Sequence, residues 1–212
     1  FSKVKLMNGN TCAQVYSNGL FTKVFPMPDK TGARVGQTLT DFADDVGIPD
    51  TLVIDLAPEQ AGKHTDMQKE ARRLRVRIRF TEKGRSEQNH TAEGEIGQLK
   101  RRWKHRMTTR NVPRCLWDYG LVHEAEVLSI LARGKDQVPG LEKVLGQTID
   151  ISEYLDFSIW DLVWYWDQSK TSDMSDEQKK LGRWLGIAHR VGSEMTYWIL
   201  TEHSKVIARS TV

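Results

Sequence analysis

Cysteine is nearly missing from this chain. Cys12 and Cys115 are the only two in 212 residues, too few for a disulfide framework or a four-ligand zinc site, so a reducing compartment is the expectation. Neither thiol is given a chemical role. Long apolar runs are missing too: none approaches the roughly 20 residues that a membrane-crossing helix needs. None has the layout of a signal peptide, and no membrane partner is expected. The chain begins at Phe1 and not at a methionine, and reads as a piece of something longer. The histidines His64, His90, His105, His123, His189 and His203 lack metal-ligand spacing. His123-Glu-Ala-Glu126 has no second histidine to complete a zinc-protease motif. No internal repeat or low-complexity tract is present.

With 39% hydrophobic and 28% charged residues the composition is that of a globular chain, long enough for one large domain or for a medium and a small one. The formal net charge of +3 conceals a strongly uneven distribution. Lys69 to Arg85 contains Lys69, Arg72, Arg73, Arg75, Arg77, Arg79, Lys83 and Arg85 against only Glu70 and Glu82. Lys100, Arg101, Arg102, Lys104, Arg106, Arg110 and Arg114 then follow with no acid between Ile96 and Arg114, whereas Asp150 to Glu177 is acidic. A single basic run is most simply a solvated helix face. Two such runs flanking one carboxylate point toward phosphate binding.

The element order follows from periodicity and turn residues. Thr11 to Tyr16 and Phe21 to Phe25 are β-rich runs joined through Ser17-Asn18-Gly19, a pattern for a hairpin. Leu39, Phe42, Ala43 and Val46 repeat at helical spacing over Thr38 to Val46, and Gly47 and Pro49 stop that helix. Leu52 to Asp55 reads as a short buried strand with a polar end. Asp66 to Leu74 is a short helix, and Val76 to Phe80 is a strand with Val76, Ile78 and Phe80 inward. Thr81 to His90 is a loop, and two long helices cover Thr91 to Thr109 and Leu116 to Leu131. Hairpin, helix, strand, helix, strand and helix make an α/β layout with a mixed sheet. Beyond Pro139, Gly140 and Gly146 come short aromatic segments at Trp160–Trp166, Gly182–Ala188, Met195–Leu200 and Lys205–Arg209, a pattern for a small all-β barrel.

The chemistry-bearing pair is Asp55, at the end of the apolar run Thr51-Leu-Val-Ile54, and Glu93, heading a basic helix. A strand-end carboxylate and a helical one beside Lys and Arg would hold a divalent cation next to a nucleic-acid phosphate. Taken singly, Asp55 is a turn former and Glu93 a helix-start residue favoured by the macrodipole. Glu95 is a rival. At about 100° per residue, Glu93, Lys100 and Lys104 share one flank of the stripe Ala92-Ile96-Leu99-Trp103-Met107, and Glu95, Arg102 and Arg106 the other. Helical geometry alone leaves both open. The tryptophans of Trp160 to Trp166 read most simply as packing, with base stacking as the other reading.

Thr51-Leu-Val-Ile-Asp-Leu-Ala-Pro-Glu-Gln60, Gln88-Asn89 followed by Ala92-Glu93, and the stretch from Gly182-Arg-Trp-Leu-Gly186 to Thr211 together resemble the integrase region of copia-type LTR retrotransposon Pol polyproteins. The resemblance covers most of the chain. It implies an α/β ribonuclease-H-like core with a five-stranded mixed sheet over residues 1–145 and a small all-β Src-homology-3-like barrel over residues 150–212. It also implies DNA integration, with DNA 3′ ends of the element joined to target DNA by metal-dependent polynucleotidyl transfer on Mg²⁺ (or Mn²⁺). Asp55 matches the second acid of the family's triad and Glu93 the third, both as metal ligands, and the Gln-Asn…Ala-Glu match favours Glu93 over Glu95. Lys100, Arg101, Lys104, Arg72 and Arg85 are the expected nucleic-acid-binding residues. The family's first acid lies on a strand upstream of the position of Phe1, so the isolated chain is expected to be inactive. Leu56-Ala57 and Lys83-Gly-Arg-Ser-Glu87 also depart from the family's Asn-Gly and Ser-Pro. Expected partners are element-end and target DNA, a second copy in a homo-oligomer and other parts of the polyprotein; the expected places are the nucleus and a cytoplasmic virus-like particle. The other reading is a catalytically dead nucleic-acid-binding remnant of a retroelement.

Overall fold

A computed structural model describes residues 7–54, 65–81, 90–167, 178–192, 195–210 and 212. The chain forms two compact units, one of residues 1–105 and 113–149 and the other of residues 106–112 and 150–212. No helix among the described residues is long and apolar enough to cross a membrane.

The first unit opens with β1 (Cys12–Ser17) and β2 (Thr22–Met27), antiparallel, with Cys12 opposite Met27 and Ser17 opposite Thr22. Their connection is a four-residue loop and not the two-residue turn that Asn-Gly favours. Asn18 Oδ1 accepts from Leu20 N at 3.0 Å and Phe21 N at 2.8 Å, while Gly19 alone takes the positive φ, at 91°. Helix α1 (Gly32–Asp45) follows, then β3 (Thr51–Ile54), α2 (Asp66–Arg73) and β4 (Arg77–Phe80). β3 and β4 pair in parallel, so α2 lies in the crossover that such a pair requires. Thr65 caps α2 by accepting from Gln68 N at 3.4 Å, Asp66 sits in its first turn and Arg72 and Arg73 in its last, each sign matched to the helix dipole.

Tyr16, Met27, Val35, Leu39, Met67, Ala71 and Val76 form one buried cluster, with Leu52 and Ile78 packed against it. Both strand pairs therefore share a core under α1 and α2. Leu39 and Met67 are completely buried, each stabilising by roughly 1.5–3 kcal/mol relative to exposure. The expected five-stranded sheet is not what the described residues form: they give two separate two-stranded ladders. Phe80 also departs from expectation. At 43% exposure it does not point inward, because the cluster ends at Ile78 on that strand.

Two helices complete this unit: α3 (His90–Arg110), whose last turn is grouped with the second unit, and α4 (Trp117–Ile130), entered through a 3-10 turn at Arg114–Leu116. A short α5 (Gly140–Leu145), unforeseen in the sequence, ends on Gly146 at φ 71°. Trp103 of α3 lies flat on Gly120 of α4. A Cβ at Gly120 would fall 2.2 to 2.5 Å from the indole ring, so the close approach of the two helices depends on that glycine.

The second unit is an antiparallel meander of β5 (Leu162–Trp166), β6 (Lys179–Ile187), β7 (Tyr197–Thr201) and β8 (Val206–Arg209), in that spatial order. Its ladder shifts register between Trp184 and Gly186. Val163, Tyr165, Trp184, Tyr197 and Ile199 are buried on one face. Phe157 adds an edge-on contact to Tyr197, with ring centroids 5.6 Å apart. Arg209 Nε on β8 donates to Trp166 O on β5 at 3.2 Å, so the two outer strands of the sheet approach each other at that corner.

Candidate functional site

Helix α3 carries most of the expected site, and its two flanks have separate roles. The stripe Leu99 and Trp103 is fully buried. Glu95 goes with it: Arg133 Nη1 donates to both of its carboxylate oxygens at 3.0 Å, and Thr22 Oγ1 donates to Oε2 at 3.3 Å. Arg133 is itself held by Leu20 O at 2.8 Å, Leu128 O at 3.1 Å and Gln98 Oε1 at 3.3 Å. On the same flank Arg102 Nε donates at 2.9 Å to Glu124, whose side chain is 1% exposed. This flank ties α3 to β2, to α4 and to the chain that follows α4. Glu95 is thus engaged by Arg133 and Thr22 within the packed side of the helix.

The opposite flank faces solvent. Glu93, Lys100, Arg101 and Lys104 are all exposed. Glu93 stands in the first turn, where a carboxylate is favoured by the helix dipole. That turn lies against the β1–β2 loop: a Cβ at Gly19 would come within 2.9 Å of Thr91 Cγ2. Below it, Ser129 Oγ accepts from Thr22 N at 2.9 Å and donates toward Ala125 O, which fixes β2 on α4. Glu93 thus stands exposed on a turn that adjoins the β1–β2 loop.

Asp55 and Arg85 lie outside the described residues, so the spacing of the two expected carboxylates is not described. Asp55 directly follows Ile54, which is buried and whose carbonyl accepts from Thr81 N at 3.1 Å. Arg72 is exposed in the last turn of α2, on a different helix from Glu93. No group of three or more metal-binding side chains exists among the described residues. The donor chemistry of the expected pair, two carboxylates, suits Mg²⁺ or Mn²⁺.

The sequence missed two features. Arg133 carries no local sign of its role, because its partner Glu95 is 38 positions away. The tryptophans divide instead of all packing: Trp103, Trp117 and Trp184 are buried, while Trp164 and Trp166 are 54% and 40% exposed. The period-two alternation of Leu162, Trp164 and Trp166 with Val163 and Tyr165 was the available signal.

No family model matches this chain, and no curated protein sequence does. Among solved structures, a chain of the simian T-cell lymphotropic virus intasome, in complex with the PP2A regulatory subunit B56 gamma, is similar at a TM-score of 0.50 and 14% identity. That match covers 93% of this chain and 68% of the other. The catalytic core domain of BIV integrase matches at a TM-score of 0.47 and 14% identity, over 63% of this chain and 84% of that one. At such identity the likeness is one of fold.

Proposed function

We propose that the chain is part of a retroelement integrase that joins DNA 3′ ends to target DNA. The observation that carries this reading is the solvent-facing flank of α3, where Glu93 stands with Lys100, Arg101 and Lys104 while the competing Glu95 is consumed by the fold. The fold likeness to an intasome chain, over nearly the whole length, supports it. In this reading the first unit is a ribonuclease-H-like core and the second a small Src-homology-3-like barrel; the approach of Arg209 to Trp166 favours closure of the meander. DNA, a second copy of the chain and the rest of the polyprotein are the partners, within the nucleus and virus-like particle.

Asp55 and Glu93, with a third carboxylate supplied from upstream, would hold Mg²⁺ or Mn²⁺. The bound metal would supply Lewis-acid activation of the attacking oxygen and stabilisation of the leaving one. Glu93 is suited to this by its exposure. Lys100 and Lys104, about two and three turns further along the same flank, would neutralise and position backbone phosphates without reading sequence.

The test compares residues 1–212 with a chain extended upstream through an Asp-bearing strand, in Mg²⁺-dependent joining of a 3′ DNA end to target DNA. The expectation is salt-sensitive duplex binding by both and joining by the extended chain only. Asp55→Asn and Glu93→Gln should abolish joining without loss of binding. Joining that survives Glu93→Gln would reject the assignment. A folded, inactive extended chain would favour the catalytically dead remnant, a reading for which the departures at Leu56-Ala57 and Lys83-Gly-Arg-Ser-Glu87 speak.

A further inference from the structure

The meander of the second unit is apolar on both faces, although a sheet with one solvated face normally alternates apolar with polar residues. Opposite the buried face, cross-strand pairing puts Leu162, Arg183, Leu200 and Val206 in one row. It puts Trp164 beside Leu181 and Trp166 beside Lys179. At the β5–β6 end this surface is open: Leu162, Trp164, Trp166 and Leu181 are 56%, 54%, 40% and 40% exposed. A contiguous exposed strip of this kind, holding two indoles, marks a binding surface.

The charges on the strip select its occupant. Lys179 and Arg183 are the ionisable residues on the rows just named, and no carboxylate shares them. The acids that bound β5 are both neutralised, Asp161 by Arg110 and Asp167 by Lys180. Arg183 is held in place, its guanidinium 5.2 Å from the ring centroid of Trp160 and its Nη1 donating to Trp160 O at 3.0 Å. Aromatic rings among fixed cations are the chemistry that stacks bases and attracts phosphates.

Spacing decides between duplex and single strand. Residues two apart on a strand stand about 6.6–6.8 Å apart, twice the ~3.4 Å rise per nucleotide along one strand of a duplex. Bases inside a duplex are also covered by their neighbours. Indoles at positions 164 and 166 therefore each meet a base only where the nucleic acid is unstacked and extended. The apolar strip offers no hydroxyl or amide side chain to engage a 2′-hydroxyl, so it does not require RNA and a DNA strand meets it fully.

We propose that the outward face of β5 and β6, centred on Trp164 and Trp166, is a stacking platform for an unpaired DNA strand. It stands on the second unit alone and does not depend on the polynucleotidyl-transfer reading.

The experiment measures binding of the full chain to a fluorescein-labelled oligothymidylate, to an abasic strand of equal length and to a duplex, by anisotropy and tryptophan quenching. Oligothymidylate is expected to bind more tightly than the abasic strand and to quench fluorescence. Trp164→Ala and Trp166→Ala should each weaken oligothymidylate binding on the order of ten-fold. Both should leave abasic-strand and duplex binding, which rest on phosphates, unchanged. Trp164→Phe and Trp166→Phe keep a ring and should retain most of the affinity, which separates loss of stacking from loss of folding. Equal weakening on the abasic strand, or no weakening on oligothymidylate, would overturn the proposal. Self-association of the wild-type chain in sedimentation, abolished by Trp164→Ala, with unchanged oligothymidylate binding, would assign the strip to a second copy instead.

Discussion

Replacing Glu95 and Glu93 in turn should separate a carboxylate that holds the fold from one that does not. Glu95→Ala removes both oxygens from Arg133 Nη1 and the acceptor of Thr22 Oγ1. Breaking a fully buried pair by removing one partner costs about 3–5 kcal/mol. Here the side chains are 11% and 18% exposed, and Arg133 keeps Leu20 O, Leu128 O and Gln98, so the expected loss is about 2–4 kcal/mol. Glu93→Gln gives up only a favourable position at an exposed helix start, which costs less than about 1 kcal/mol. Urea unfolding followed by circular dichroism reads both, provided the slope of the transition is unchanged between variants. The cycle of Glu95→Ala with Arg133→Ala should show coupling of about 1 kcal/mol or more. A larger loss from Glu93→Gln than from Glu95→Ala, or additive effects of the pair, would refute the division of α3 into a structural and a solvent-facing flank.

Two further outcomes follow from the first unit. Gly120→Ala improves intrinsic helix propensity by up to about 1 kcal/mol, yet the added methyl would collide with the fully buried ring of Trp103. A net destabilisation of about 1–3 kcal/mol is expected in the same unfolding assay, and a stabilised variant would contradict the packing. Burial pushes the Tyr16 hydroxyl up to about 12, opposed by its hydrogen bond with Thr38 and helped by the nearby Asp41. The unfolded chain loses this proton near pH 10 and the folded chain keeps it. The contribution, roughly 2–3 kcal/mol, is thus complete below pH 10 and lost as pH rises toward 12. Tyr16→Phe should lower stability modestly at pH 8 and flatten the alkaline decline, leaving the smaller share due to Tyr119, Tyr165 and Tyr197, which burial also raises. An unchanged alkaline slope would contradict it.

What the sequence made legible is what depends on neighbours along the chain. The hairpin, α2, the strand on either side of it and the helix following Gln88-Asn89 all have local signatures and are legible with bounds shifted by a few residues, whereas the Thr65 cap and the parallel pairing of β3 with β4 are not. The separation of Glu93 from Glu95 had none. Both sit beside the same apolar stripe, so periodicity treats them alike, and their different surroundings come from Arg133 and Thr22, contributed to Glu95 by two other parts of the chain. The turn geometry is less legible: the runs ending at Tyr16 and starting at Phe21 leave room for a four-residue loop, but nothing local shows that the Asn18 side chain closes it by accepting from Leu20 N and Phe21 N.

The tryptophan-rich strand shows the same limit from the opposite side. Leu162-Val-Trp-Tyr-Trp166 is apolar at every position, and such a run implies a strand covered on both faces. In the second unit only Val163 and Tyr165 find that cover, against the core of Trp184, Tyr197 and Ile199. Trp184 and Tyr197 fill the interior with rings already, centroids 6.0 Å apart. The sheet cannot also turn Trp164 and Trp166 inward without a one-residue slip that would expel Val163 and Tyr165. The exposure of the outer indoles is therefore a consequence of register, fixed by pairing with Leu181 and Lys179. A slip in register would be the cheapest way to hide them. Its absence makes the strip a surface the fold holds open, and gives the two rings a fixed spacing on which a binding partner can depend.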